Sequence, residues 1–238
     1  MKFRAFIWLA IAAFLIYFVV VLFAMNQNRG LSIISSPNVW ESEIEDIEGR
    51  YIEGYPQGKI VFIGSSSIRG WNTLAADMVP LDTLNHGFGG SKIHDVAFYA
   101  DRLIFPFNPR AIVVFVGSND INGVQGESKS GAETFDAFVE FAEKIHDWDA
   151  DLPIYYISIT PTQARWHVWD DIRDANQLIA GYAAGQSNIT FIDMTSYFLD
   201  DNREPNAELF LSDGLHLNAK GYAIWTSNIK PILADDFG

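Results

Sequence analysis

The chain has 238 residues, with 30 acidic side chains against 16 basic ones and a formal net charge of −14. That length suits one domain of ordinary size plus an appendage, and the negative excess repels polyanions, so a nucleic-acid partner is not expected. The absence of cysteine excludes disulfides, thiolate metal sites and a lipidated cysteine.

Lys2 and Arg4 precede residues 5–25, an uninterrupted run of 21 uncharged and mostly large apolar side chains. As a helix rising 1.5 Å per residue, such a run spans roughly the 30 Å hydrocarbon core of a bilayer. Its basic flank predicts an N-terminus in the cytoplasm and the remainder of the chain outside, periplasmic or extracellular. A cleavable signal would have a shorter apolar stretch of about 7–15 residues and a small-x-small end. Here Leu22 stands where a small residue belongs in Val21-Leu22-Phe23-Ala24-Met25. The expectation is therefore an uncleaved single-pass anchor over residues 1–26, with secretion after cleavage as the alternative. A Ser-rich linker over residues 27–40 then leads into a folded unit over residues 41–238.

Short apolar runs and amphipathic segments alternate from Trp40 onward. Strands are predicted at residues 59–63, 81–84, 111–116, 154–159 and 189–192. Most are continuous β-branched or aromatic runs, as expected of strands buried on both faces. Helices are predicted over residues 134–148, 170–184 and 218–233. The first places Phe135, Phe138, Val139, Phe141, Ala142 and Ile145 on one stripe, and Asn218 is the expected cap of the last. Strand and helix in alternation predict an α/β sandwich around a parallel sheet.

Four blocks fall at expected C-terminal strand ends, the edge at which open parallel sheets bind ligands. Gly64-Ser65-Ser66-Ser67-Ile68-Arg69 follows the first strand and enters a helix, so a serine there is either a cap or an exposed nucleophile. Gly87-Phe88-Gly89-Gly90 follows the second, too far from dinucleotide-fingerprint spacing to bind a nucleotide, and offers a turn or an oxyanion N–H. In Gly117-Ser118-Asn119-Asp120, the Asn119 amide closes a turn or points at a developing negative charge. Asp213-Gly214-Leu215-His216 lets the carboxylate reach the imidazole Nδ1–H across one tight turn, freeing Nε2 to take a serine proton. Together the blocks supply a nucleophile, a base, an orienting acid and oxyanion donors. His86, His94, His146 and His167 lack a suitably spaced acid on a sheet-edge loop, His94-Asp95 reading as a helix start. No metal-ligand spacing is present.

These blocks, in this order over residues 60–233, resemble those of the SGNH hydrolase superfamily, also called GDSL-like lipases or acylhydrolases. The first block is similar to the subgroup with Gly-Ser-Ser in place of Gly-Asp-Ser, so that Ser65 stands at the family's usual Asp. The resemblance implies a flavodoxin-like three-layer α/β/α sandwich with a five-stranded parallel sheet. It implies Ser66 as nucleophile, His216 as base and Asp213 as the residue orienting it. The oxyanion hole would comprise the Ser66 and Gly90 N–H groups and the Asn119 amide, with Gly89 as the alternative glycine. The implied activity is cleavage of a carboxylic ester, small-molecule or glycan, through an acyl-enzyme and without cofactor or metal. Carbohydrate O-acetyl transfer and a catalytically silent binding protein are the alternatives. Trp71 and residues 165–169 are candidates for lining the acyl or leaving-group pocket.

Overall fold

A computed structural model describes residues 39–238. The elements run α1 (Glu41–Glu48), β1 (Ile60–Gly64), α2 (Ser66–Arg69), α3 (Leu74–Asp77), β2 (Thr83–Gly87), α4 (Ile93–Phe98), α5 (Ala100–Leu103), β3 (Ala111–Phe115), α6 (Gly131–Trp148), β4 (Ile154–Ile157), α7 (Trp169–Ala183), β5 (Ile189–Ile192) and α8 (Ala219–Phe237). The five strands form one sheet in the order β2-β1-β3-β4-β5, all neighbours parallel. This is the flavodoxin-like order, with its topological switch between β1 and β3.

Alternate residues of each inner strand feed opposite cores. Val61 and Ile63, Ile112 and Val114, and Ile154 and Tyr156 pack with α1 and with α4 to α7. Ile60 and Phe62, Ala111 and Val113, and Tyr155 and Ile157 pack with α2, α3 and α8, where Trp71 and Trp225 are buried. Because both faces are covered, the central strands read as unbroken apolar runs rather than alternating ones. The layers are therefore helix, sheet, helix.

The three long helices match the predicted ones, with ends that shift for identifiable reasons. α6 begins earlier because Ser130 and Glu133 form a reciprocal capping box ahead of Gly131. Asn218 caps α8 by accepting from the Lys220 and Gly221 N–H groups, and the helix continues past the expected end to Phe237. β2 shifts as a whole, starting at Thr83 and extending to Gly87. Asn85 and His86 belong to the strand because their polar groups find partners beside it. Asn85 Nδ2 donates to the Ile68 carbonyl at 2.7 Å. His86 Nδ1 donates to the Leu103 carbonyl at 2.7 Å while Nε2 accepts from Tyr51 Oη at 2.9 Å. Burial pushes His86 down to about 4, so its ring sits neutral in the core.

The anchor expected over residues 1–26 lies outside the described residues. Among the described residues no helix is long and apolar enough to cross a membrane. Trp40, the last residue of the expected linker, donates its indole N–H to the Gly89 carbonyl at 2.6 Å and packs edge-on against Phe88.

Candidate active site

β1 ends where the chain turns sharply under β3. Gly64 has φ 141°, and a Cβ there would stand 2.0 Å from the Phe115 carbonyl oxygen, so only glycine fits the crossing. The same carbonyl accepts the Ser65 N–H at 3.0 Å, fixing the start of α2. All three consecutive serines line the crevice at the sheet edge, but Ser65 and Ser67 are buried at 2% and 7% exposure, and Ser66 is the one of the three that is only partly buried.

His216 comes to Ser66 from the other end of the chain. Its Nε2 lies 2.8 Å from Ser66 Oγ, and its Nδ1 lies 2.6 Å from Asp213 Oδ2. With Nδ1–H donating to the carboxylate, Nε2 is left as the acceptor of the serine hydroxyl proton. The second Asp213 oxygen accepts the backbone N–H groups of Leu215 and His216 at 2.9 and 3.0 Å. The hydrogen bond from His216, with these backbone donors, holds the Asp213 carboxyl down at about 2. Gly214 adopts φ 63°, the left-handed conformation that lets this turn close within three residues. A short antiparallel bridge between Phe210 and Leu217, with Leu211 N–H donating to the His216 carbonyl at 2.7 Å, clamps the base of the loop.

The candidate oxyanion donors are separated by their existing partners. Gly89 N–H is already given to Glu43 Oε2 at 2.8 Å, and a Cβ at Gly89 would run into the Arg69 guanidinium. Gly90 N–H and Ser66 N–H have no acceptor among the described residues. Gly90 sits at φ 74° with open space where a side chain would stand. Asn119 donates one amide N–H to the Ser91 carbonyl at 3.1 Å, which leaves the second available. Asn119 and Ser66 line one small crevice with Ser118, Thr160, Leu215 and Leu217. Its volume of about 10 Å³ is room for about one water molecule.

Several residues that support the site carried no clear signal in the sequence. Asp120, fully buried, accepts the Ile93 N–H at 3.1 Å and pairs with Lys129 at 3.2 Å. It thereby ties the loop after β3 to the start of α4, and desolvation raises its carboxyl above the usual range. Its adjacency to Asn119 was the one available hint. Glu43 on α1 binds both Gly89 N–H and Arg69, a link between distant segments that no local pattern encodes. Arg165 Nε donates to the Ser118 carbonyl at 3.3 Å, beside Asn119. Trp71, a candidate pocket residue, instead lies buried between Phe62, Tyr222 and Trp225, with its indole N–H on Asp77. His94 and Asp95 belong to the start of α4, where Asp95 accepts the Lys92 N–H at 2.8 Å.

A parallel α/β sheet that carries a Ser–His–Asp hydrogen-bonded series at its C-terminal edge, beside unpaired N–H donors, has the construction of a serine hydrolase. Family comparison gives the narrower class. The model of the GDSL-like Lipase/Acylhydrolase family matches residues 51–224, and the chain belongs to that family. It is an ester-hydrolysing enzyme. Among curated proteins it is similar to the isoamyl acetate-hydrolyzing esterase 1 homolog of Mus musculus, 26% identical over 190 residues that cover 69% of this chain and 74% of the relative. The Homo sapiens counterpart is 25% identical over 192 residues, with the same coverage. In fold it is similar to a GDSL-like lipase from Bacteroides thetaiotaomicron, with TM-score 0.66 and 19% identity over 85% of this chain and 98% of the other. A carbohydrate esterase family 3 structure from Talaromyces cellulolyticus follows with TM-score 0.58 and 16% identity, covering 75% and 97%.

Proposed function

We propose that this enzyme cleaves esters of short acyl groups through an acyl-enzyme on Ser66. The observation that carries the reading is the continuous hydrogen-bond series from Ser66 Oγ through His216 to Asp213. His216 Nε2 takes the hydroxyl proton as Ser66 Oγ attacks the acyl carbonyl. The resulting oxyanion is held by the Ser66 and Gly90 N–H groups and the free Asn119 N–H. His216 then passes its proton to the departing alcohol oxygen. In the second half, a water gives a proton to His216 and attacks the acyl carbon, which releases the acid and restores the serine. Asp213 stays ionised throughout and stabilises the imidazolium that forms twice per cycle.

Two observations support a short acyl group, of acetyl size. The crevice beside Ser66 has room for little more than one water, and the mouse and human relatives are named for hydrolysis of an acetate ester. A chain-length series of p-nitrophenyl esters tests this: kcat/KM is expected to be highest for acetate and to fall steeply by hexanoate. A preference for long chains would overturn the short-acyl reading. Product analysis with sugar acceptors separates transfer to water from transfer to a hydroxyl.

The reading includes an anchored enzyme, held in the membrane by residues 5–25 with its catalytic unit outside the cytoplasm. The support is the uncharged run of bilayer length behind Lys2 and Arg4. Full-length protein is expected in the membrane fraction, with protease added outside the inner membrane degrading the catalytic unit. Recovery of the activity in the cytosol would overturn the arrangement.

A further inference from the structure

A second and larger cavity, of about 530 Å³, opens at the β5 side of the sheet, where Trp166, Trp169, Phe191, Gln177, Asp193 and Arg203 line it. That volume lies in the range of pockets that hold small organic ligands, and the small crevice beside Ser66 does not. Its apolar wall is a pair of indoles stacked at 5.5 Å and 23°. Trp169 rests on a buried cluster of Ile121, Ile159, Ile172 and Ala175, which fixes the wall in place. Two of its polar groups are committed, Arg173 to Asp170 and Asn176 to the Ile159 backbone, and others keep free capacity. Gln177 makes no side-chain hydrogen bond among the described residues, and Arg203 neither ion-pairs nor hydrogen-bonds through its guanidinium. Asp193 gives one carboxylate oxygen to the Thr195 N–H at 2.8 Å and keeps the other. Arg203 is also one of two non-glycine residues with positive φ among the described residues, at 63°, where a long side chain is disfavoured.

An aromatic wall with a free amide, a free guanidinium and one free carboxylate oxygen beside it matches a ligand with an apolar face and a rim of hydroxyl groups. That description is of a sugar ring. The position relative to Ser66 adds a constraint. Ser66 follows β1 and the cavity adjoins β5, three strand spacings along the sheet in the order β1-β3-β4-β5, or roughly 14 Å at about 4.8 Å per spacing. The segment between them, Gln163–Val168, is bonded to the catalytic loops on one side through Arg165 Nε to the Ser118 carbonyl and Ala164 N–H to the Gly214 carbonyl. Trp166 of the same segment lines the cavity on the other.

We infer that this cavity is a glycan subsite, which holds a sugar ring of the substrate's alcohol part several linked units away from the ester being cleaved. The inference rests on the esterase reading above and extends it to the substrate class: an acylated oligosaccharide or polysaccharide. The subsite supplies binding energy remote from the reacting bond, which raises kcat/KM for extended substrates over small ones.

The test uses the full-length chain and two readouts. The first is kcat/KM on p-nitrophenyl acetate and on O-acetylated xylo-, gluco- and N-acetylglucosamine oligosaccharides of increasing length. The ratio of the long oligosaccharide to p-nitrophenyl acetate is expected to drop about tenfold in Trp166→Ala and in Arg203→Gly. Glycine suits φ 63°, so the second variant removes the guanidinium without a folding penalty. The second readout is tryptophan fluorescence during titration with the unacetylated sugars, in the wild type and in Ser66→Ala. A saturable change in both, lost in Trp166→Ala, supports the subsite even where no ester is turned over, and that outcome would leave the subsite standing while the esterase reading fails. Ester hydrolysis with no length dependence, together with no saturable fluorescence change at millimolar sugar, overturns the subsite alone.

Discussion

Ser66, Gly90 and Asn119 follow three different strands, and long-range bonds, buried at Asp120 and partly exposed at Asn119 and Glu43, tie those segments together. Asp120 reaches α4, Asn119 reaches the Ser91 carbonyl, and Glu43 joins the glycine loop to Arg69. Asp213 and His216 are three residues apart on one turn and are held by bonds within that turn and its short bridge. They are also the wetter half, with side chains 47% and 35% exposed. On the proposed mechanism the oxyanion donors must be in place before charge develops, and the bonds from distant segments of the chain hold them there. The base must give and take a proton in each half-reaction, and a locally closed turn at the surface suffices to aim it.

Removing either member of the contact between the halves is expected to have the largest effect. Ser66→Ala and His216→Ala should each lower kcat on p-nitrophenyl acetate by about 10⁶-fold, and the double variant should lose no more than either alone. Retained activity in Ser66→Ala would remove Ser66 as nucleophile. Asp213→Asn attacks the local half by a different route. The amide can still accept at one oxygen but presents N–H toward the imidazole, which favours the wrong tautomer, and a kcat loss of about 10⁴-fold is expected with little change in KM. Because Asp213 is half exposed, circular dichroism and thermal melting should remain close to the wild type.

The serine half is expected to respond in both activity and stability. Asn119→Ala should reduce kcat by about 10²–10³-fold, the cost of one oxyanion donor, with KM nearly constant. Beneath this half lies His86, whose value near 4 in the folded chain is below the usual 6.5 of an unfolded histidine. The unfolded chain thus takes up this proton first as pH drops. Stability attributable to His86 is complete above pH 6.5 and is lost as pH falls toward 4, by about 3 kcal/mol in total. Urea midpoints across that window should show a slope that His86→Asn flattens. An unaltered slope would assign acid sensitivity elsewhere. The smallest effect is expected at Asp120. Asp120→Ala strands the buried Ile93 N–H and should cost about 1–3 kcal/mol, whereas Asp120→Asn keeps an acceptor and costs less. If the cross-tie matters for the oxyanion donors, kcat falls in Asp120→Ala alongside the melting temperature.

The contrast between the halves also explains how much of the molecule was legible beforehand. The strands β1, β3 and β4 are legible because burial on both faces leaves continuous apolar runs, and the Asp-x-x-His geometry because it closes within a single turn. The end of β2 is not legible in the sequence, because Asn85 and His86 look like loop residues until the Ile68 and Leu103 carbonyls are placed beside them. Trp71 was an open candidate for the pocket because its burial depends on α8, more than 140 positions further along the chain.

By itself, then, the sequence determined the parallel α/β class, the family, and the set of polar residues at the strand ends. Periodicity specifies the class, short-range turn chemistry the polar set, and the resemblance of the four blocks the family. Tertiary structure alone shows what separates neighbours that are chemically equal in one dimension. Ser65 and Ser67 are buried and Ser66 is partly exposed, which supports the serine the resemblance implies. Glu43, far upstream, takes the Gly89 N–H, which supports Gly90 over Gly89. A donor's availability depends on what else has reached it in space, and local pattern holds no record of that.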